Sequence, residues 1–478
     1  MTDPTDQPYR WRWAILGVML AAEIMDMLDA TIVNVAGPSL ESSLGVTPLG
    51  LQWVIGGYAL ALGAGLVLGG RLGDRFGRRP TFLLGLAAFT LASLLCSLAP
   101  SPEALVGFRL VQGAAGALLL PQGLGLLREN LSGAELGVAF GIFGPALGLG
   151  GILGPIIGGG LIEADVLGLG WRSVFLVNVP IGVAAMIVAH RILPGRSGDR
   201  AVGIDLIGAA IIVASSGLLV LGLTFGPELD WPLWAKLCIA AGLIGFIVFG
   251  RQQHWLLNRG GVPLVTATMF TRRAYTFGLV GIALFFSSLT GTQLVLTLFL
   301  QLGHGFTPGE AGLGNLPLAL GSAIGGAISG AWLAEKIGRA VLQLGAVAQL
   351  AGAVLLWFEL GASGDFSIWA VAPGIVLFGV GGGAIIAALF STILAAVRDD
   401  EIGSASGVLT AVQAIASSVG VAIFASVFFE TAHSGSPEEA FRQALIVPAI
   451  MLTLFFALSF LFPTTSREDA HGLAEATV

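Results

Sequence analysis

The chain has 478 residues, 55% of them hydrophobic and only 11% charged, with a formal charge of −7. A soluble domain carries about 25% charged residues, so this composition excludes an ordinary soluble protein and places the chain in the membrane class. Basic residues are dispersed at the ends of apolar segments and build no patch, which excludes a nucleic-acid binder.

Fourteen apolar segments follow one another, at 13–37, 50–70, 80–98, 103–127, 135–162, 173–193, 205–225, 233–251, 275–302, 310–334, 340–361, 368–396, 403–429 and 443–462. A helix crosses a bilayer in about 20 residues, which these lengths allow. The connections are short and hold no soluble domain. The 71 glycines let helix backbones approach closely, as a tightly packed and movable bundle requires.

The first segment carries three acids, Glu23, Asp26 and Asp29. Each carboxylate at the centre of a span costs about 2.5–3.5 kcal/mol on insertion, so a plain anchor would not hold three. Steps of three residues place neighbouring acids about 60° apart on a helix, with Asp26 in the middle of the arc. Such a face looks inward, onto a partner or a watery path. The span is too long and too acidic for a cleaved signal.

Lysine and arginine set the orientation. With the N-terminus inside, 18 basic residues fall inside and three outside (Arg172, Lys236 and Arg442), while Arg109 lies within the fourth segment. Both termini are expected in the cytoplasm.

Segment 2 ends in Gly70-Arg71-Leu72-Gly73-Asp74-Arg75-Phe76-Gly77-Arg78. A weaker copy, Gly330 to Arg339, follows segment 10. The copies are eight spans apart, so two six-helix halves with two extra helices between them account for the spacing. Repeated halves with a site at their interface are a common transporter plan. In the first copy the glycines permit a tight turn, Asp74 suits a helix N-terminus, and Arg75 and Arg78 can reach acids such as Glu129. Segment 5 holds Gly150, Gly154 and Gly158, a repeated GxxxG ridge, beside Pro155 and Gly159. The five histidines are scattered and Cys96 and Cys238 lie in or near apolar stretches, so no metal site or disulfide is expected. No GxxxxGK[ST] loop is present, which disfavours ATP-driven transport.

Taken together these stretches resemble the major facilitator superfamily. Gly70–Arg79 looks like its loop-2/3 signature. Leu28-Asp29-Ala30-Thr31-Ile32-Val33-Asn34-Val35-Ala36 resembles the first-helix motif of the fourteen-helix drug:proton antiporter branch, with Gly37 a departure from it. Arg109-Leu110-Val111-Gln112-Gly113 resembles the fourth-helix motif and Gly150–Gly159 the fifth-helix antiporter motif. Gln52-Trp53 with Tyr58, Trp171-Arg172 through Asn178 and Pro180, and Leu300-Gln301 fit as well.

The expectation is an all-α membrane protein of the major facilitator fold, with 14 transmembrane helices arranged 6+2+6. The parts are a tail at 1–12, a six-helix bundle at 13–200, two linker helices at 201–255, a second bundle at 256–463 and a tail at 464–478. The resemblance implies a proton-coupled exporter of lipophilic, often cationic compounds in a bacterial inner membrane. It would be a monomer among membrane lipids, driven by the proton gradient without a cofactor. Asp29 and Arg109 would couple protons, while Glu23, Asp26 and Asn34 would meet substrate. Gly70, Asp74, Arg75, Gly77 and Arg78 would gate the cytoplasmic side, and Gly150, Gly154, Pro155, Gly158 and Gly159 would carry antiport. A carrier dedicated to one metabolite, such as a natural product, lipid or amino acid, is the alternative.

Overall fold

A computed structural model describes residues 9–462, except 132–133, 166–167, 196–197, 199–202, 204, 227–228, 230, 266, 361–366, 399–400 and 433–434. All regular structure among these residues is helical. The chain begins with α1 (Arg12–Leu44), α2 (Pro48–Phe76), α3 (Arg78–Ser97), α4 (Pro102–Asn130), α5 (Ala134–Glu163), α6 (Arg172–Leu176) and α7 (Asn178–Ile192). A pair follows, α8 (Leu206–Phe225) and α9 (Leu233–Asn258). Then come α10 (Ala267–Thr271), α11 (Arg273–Leu298), α12 (Pro308–Gly314), α13 (Leu316–Ile328), α14 (Ala334–Ile337) and α15 (Ala340–Glu359). The last four are α16 (Ile368–Ala395), α17 (Ile402–Ala432), α18 (Pro437–Ala444) and α19 (Ile446–Ser459).

Each apolar segment read from the sequence coincides with one helix or with consecutive short ones. Twelve of these helical stretches are long and apolar enough to cross a membrane. Helices α1 and α5, of 33 and 30 residues, stand outside those twelve, so the expectation of fourteen spans is met for twelve. The expected C-terminal tail and most of the N-terminal one lie outside the described residues.

Local chemistry explains the helix boundaries. Four helices start on a Ser-Pro or Thr-Pro pair: Thr47, Ser101, Thr307 and Ser436 each accept a hydrogen bond from an amide of the first turn. The following proline gives up no bond there, because its missing N–H would be an orphan at that position. Two spans are broken by an Asn-X-Pro sequence. Pro180 and Pro317 lack the N–H that would continue the ladder, so α6 yields to α7 at Asn178 and α12 to α13 at Asn315. Both freed asparagines turn a side-chain amide inward.

Packing follows the glycines. Among the first seven helices α2 lies along α4, α3 along α4, and α1 along α5. Among the later ones α13 and α15 flank α16, while α11 lies along α17. These two groups meet where α2 packs on α17 and α5 on α13 and α16. Helices α8 and α9 pack on each other, with α8 against the outer side of α2 and α17. The sequence repeat has a backbone counterpart: Gly77 at φ +97° and Gly338 at φ +50°, matching positions near the end of the two motif copies, both take positive φ.

Candidate functional site

The three acids of α1 are buried, with Asp29 and Asp26 almost fully enclosed. Asp29 is held on both oxygens. Its Oδ2 accepts from Arg109 Nη1, and its Oδ1 accepts from Gln112 Nε2 at 2.8 Å and from Asn178 Nδ2 at 2.7 Å. The helix break before Pro180 is what delivers Asn178 to this point. Arg109 is wholly buried too and does not reach for an interface. Its Nε donates to the Val54 carbonyl at 2.9 Å and Nη1 to Gln112 Oε1 at 2.9 Å, while the guanidinium lies 4.3 Å from the Tyr58 ring centre. Gln112 continues the chain by donating to Ser93 Oγ at 2.8 Å. One carboxylate thus ties α1 to α4 and α7, and through α4 to α2 and α3.

Asp26, one turn earlier, is held differently. Its Oδ1 accepts from the Tyr58 hydroxyl, and its Oδ2 has no hydrogen-bond partner among the described residues. Gly113 and Gly116 on α4 make room for this pair. A Cβ at Gly116 would lie 3.3 Å from Asp26 Oδ1, and one at Gly113 would strike the Tyr58 carbonyl. Glu23 completes the row, buried, one turn further along α1. Asn34 lies on α1, but its side chain is outside the described residues, as is that of Pro155 on α5. Among the described residues no group of His, Cys, Asp and Glu could hold a metal ion.

The glycine ridge of α5 sets the position of α1. A Cβ at Gly150 would come to 2.7 Å from Met27 Cβ, one at Gly154 would strike Thr31, and one at Gly158 would come to 2.6 Å from Ile32. Gly159 is half-buried beside them. The ridge therefore presses on the stretch of α1 that carries Asp26 and Asp29.

The end bearing the basic loops is closed. Asp74 accepts from the amides of Gly403 at 3.0 Å and Ser404 at 2.9 Å, at the N-terminus of α17, where a negative charge complements the helix dipole. Arg78 bridges Asp74 at 3.2 Å and Glu129 at 2.5 Å, and Arg75 lies 5.6 Å from the Phe76 ring. Arg71 reaches Ser404 Oγ at 3.3 Å and the Pro263 carbonyl at 2.9 Å. Beneath these charges α2 and α17 touch backbone to backbone, since a Cβ at Gly70 would strike the Gly403 carbonyl. The other crossing matches it: a Cβ at Gly141 on α5 would strike the Gly326 carbonyl on α13, and one at Gly326 the Gly141 carbonyl. Between the seams Phe140 of α5 lies 5.2 Å from Phe390 of α16, which lies 6.1 Å from Phe286 of α11.

The family profile of the Major Facilitator Superfamily matches residues 19–421. The chain belongs to that superfamily. Its fold is that of membrane transporters and not of enzymes. A Streptomyces coelicolor protein named "Probable actinorhodin transporter" is 43% identical over 88% of this chain and 73% of its own length. A Mycobacterium tuberculosis protein named multidrug resistance protein Stp is 31% identical over 84% of this chain and 73% of its own length. A solved human organic anion transporter superposes with a TM-score of 0.66 at 16% identity, covering 95% of this chain and all of that one. Within the superfamily fold, the residues brought together are Asp26, Asp29 and Arg109, with Glu23 one turn away. The sequence set Gln112 and Asn178 within family-like stretches but gave neither a role. It gave no sign of Ser93, Ser404 or the glycines at 326 and 403; only the Asn-X-Pro pattern at 178–180 could have pointed to a helix break.

Proposed function

We propose that the protein is a proton-coupled exporter of lipophilic, often cationic small molecules, working by alternating access. The observation that carries this reading is the Asp29 network, because one ionisable group there joins α1 to α4 and α7. Protonating that carboxylate removes the negative half of the ion pair with Arg109, so proton binding and helix packing are linked. Asp26 and Glu23 sit on the same helix and would favour cationic cargo. We read α1 and α5 as spans beside the other twelve, giving fourteen in a 6+2+6 order. The bundles are those at 13–200 and 256–463, and α8 and α9 lie aside from the transport path. Both termini and the basic loops face the cytoplasm, which makes the closed end the inner one. The protein would act as a monomer in a bacterial inner membrane.

A narrower reading has its own support. The relative named for actinorhodin is 43% identical, so the cargo would be one natural product or a small set of them. Proton release from purified protein in detergent, on adding candidate compounds one by one, tests both readings. Release with many lipophilic cations supports the broad range, and release with one compound class supports the narrow one. Uphill efflux by Asp29→Asn under a pH gradient would refute the coupling role.

A further inference from the structure

A cavity of about 350 Å³ opens on the flank of the molecule, away from the acids of α1. Its floor is buried and apolar, built from Val67 of α2, Ile212 of α8, Phe249 of α9 and Ala411 of α17, with Val408 of α17 half-buried beside them. Its rim is open to the surroundings, with Leu257 42% and Phe270 43% exposed. The rim lies toward the end of α9 that carries the basic loops. There His254 lines the cavity, and Arg251, three residues before it, neighbours it on the surface of α9 beside the mouth; both are exposed. Trp255 is exposed beside them with the Arg259 guanidinium 4.1 Å from its ring, an aromatic and basic pair of the kind that sits at headgroup level.

An apolar slot with a guanidinium and an imidazole donor beside its mouth has the chemistry of an anionic phospholipid. We infer that one acyl chain of such a lipid fills the slot and its phosphate rests on Arg251 and His254. Basic pockets between transmembrane helices hold anionic head groups in this way. The position gives the lipid a consequence. Val67 and Val408 adjoin the contact that Gly407 makes with Leu66 and Val67, so the chain lies directly behind the α2–α17 seam and braces its closed form.

The cavity also contains Ser216, whose buried hydroxyl has no hydrogen-bond partner among the described residues. A hydrocarbon chain makes no use of it, whereas a drug-like occupant with an acceptor at that depth would. This difference decides the identity of the occupant.

The test is native mass spectrometry of the full-length protein with phosphatidylglycerol and phosphatidylcholine of matched chains. The expected result is one retained phosphatidylglycerol, preferred over phosphatidylcholine. Gly250→Trp covers the mouth, and folding should survive because a Cβ at Gly250 meets nothing within 4 Å. That variant should lose the retained lipid, and Ala411→Phe, which fills the floor, should do the same. Arg251→Gln should weaken retention about fivefold, the effect of one basic residue near a head group. Ser216→Ala should change nothing. Equal retention of the two lipids, or retention unchanged in Gly250→Trp, overturns the proposal. Loss in Ser216→Ala also overturns it, in favour of a polar lipophile. None of these readouts depends on proton coupling.

Discussion

The Asp29 carboxylate and the Arg109 guanidinium meet with neither side chain exposed, 80 residues apart in sequence. Removing one member of a buried pair strands the other, at a cost of about 3–5 kcal/mol. Asp29→Asn and Arg109→Gln should therefore each lower the midpoint of thermal unfolding in detergent. The double variant should recover most of the loss, because no lone charge remains. Active efflux should be absent in all three. A double variant less stable than either single one would show that the pair is not the unit.

The two glycine seams should control closure. Gly326→Val places a side chain against the Gly141 carbonyl, and overpacking of this sort costs about 1–3 kcal/mol. That cost falls on the arrangement closed at the basic end and should shift the balance toward the open one about 5- to 150-fold. Spin labels at Phe76→Cys and Ile337→Cys, one within each motif copy, should report a longer distance in the variant. An unchanged distance distribution would exonerate the seam.

Asp205 caps α8, accepting from the Gly208 amide at 2.9 Å and from Gln252 and Gln253 at 2.8 and 2.7 Å. Partial burial pushes its carboxyl up, but these donors outweigh burial and hold it below the usual range. The sign follows from that depression. The stabilisation is complete above the unfolded value of about 3.9 and is lost as pH falls through the folded value. Asp205→Ala should cost about 0.5–2 kcal/mol at neutral pH, as for loss of a cap. The gap between wild type and variant, followed by thermal unfolding, should close on acidification below about pH 4 and should not widen.

Orientation is open to a direct check. In a background with Cys238→Ser, a membrane-impermeant maleimide added from outside should label Gly435→Cys and spare Gly195→Cys; both positions are exposed. The reverse pattern would turn the protein over in the membrane.

The residues differ in how far the sequence alone exposed them. Apolar runs announced the helices because hydrophobic length is all a span needs. The acids of α1 stood out because charge is rare there. Asn178 did not, since an amide in a span is more often simple interhelical glue and its partner Asp29 is 149 residues away. Asp74 suggested a helix N-terminus as its partner, but the one it meets begins more than 300 positions later. Gly326 and Gly403 were hidden among 71 glycines, where composition cannot separate a seam from ordinary packing. The repeat was legible in two loops, and its backbone echo at Gly77 and Gly338 needed coordinates.

The seams at Gly70–Gly403 and Gly141–Gly326 are faced with main chain. When a doorway lined by leucine or methionine shuts, each side chain loses rotamer freedom, about 0.5–2 kcal/mol apiece. A bare backbone has none to lose. Under the proposed alternating access, the two crossings would come together and part without a large entropic cost on each cycle.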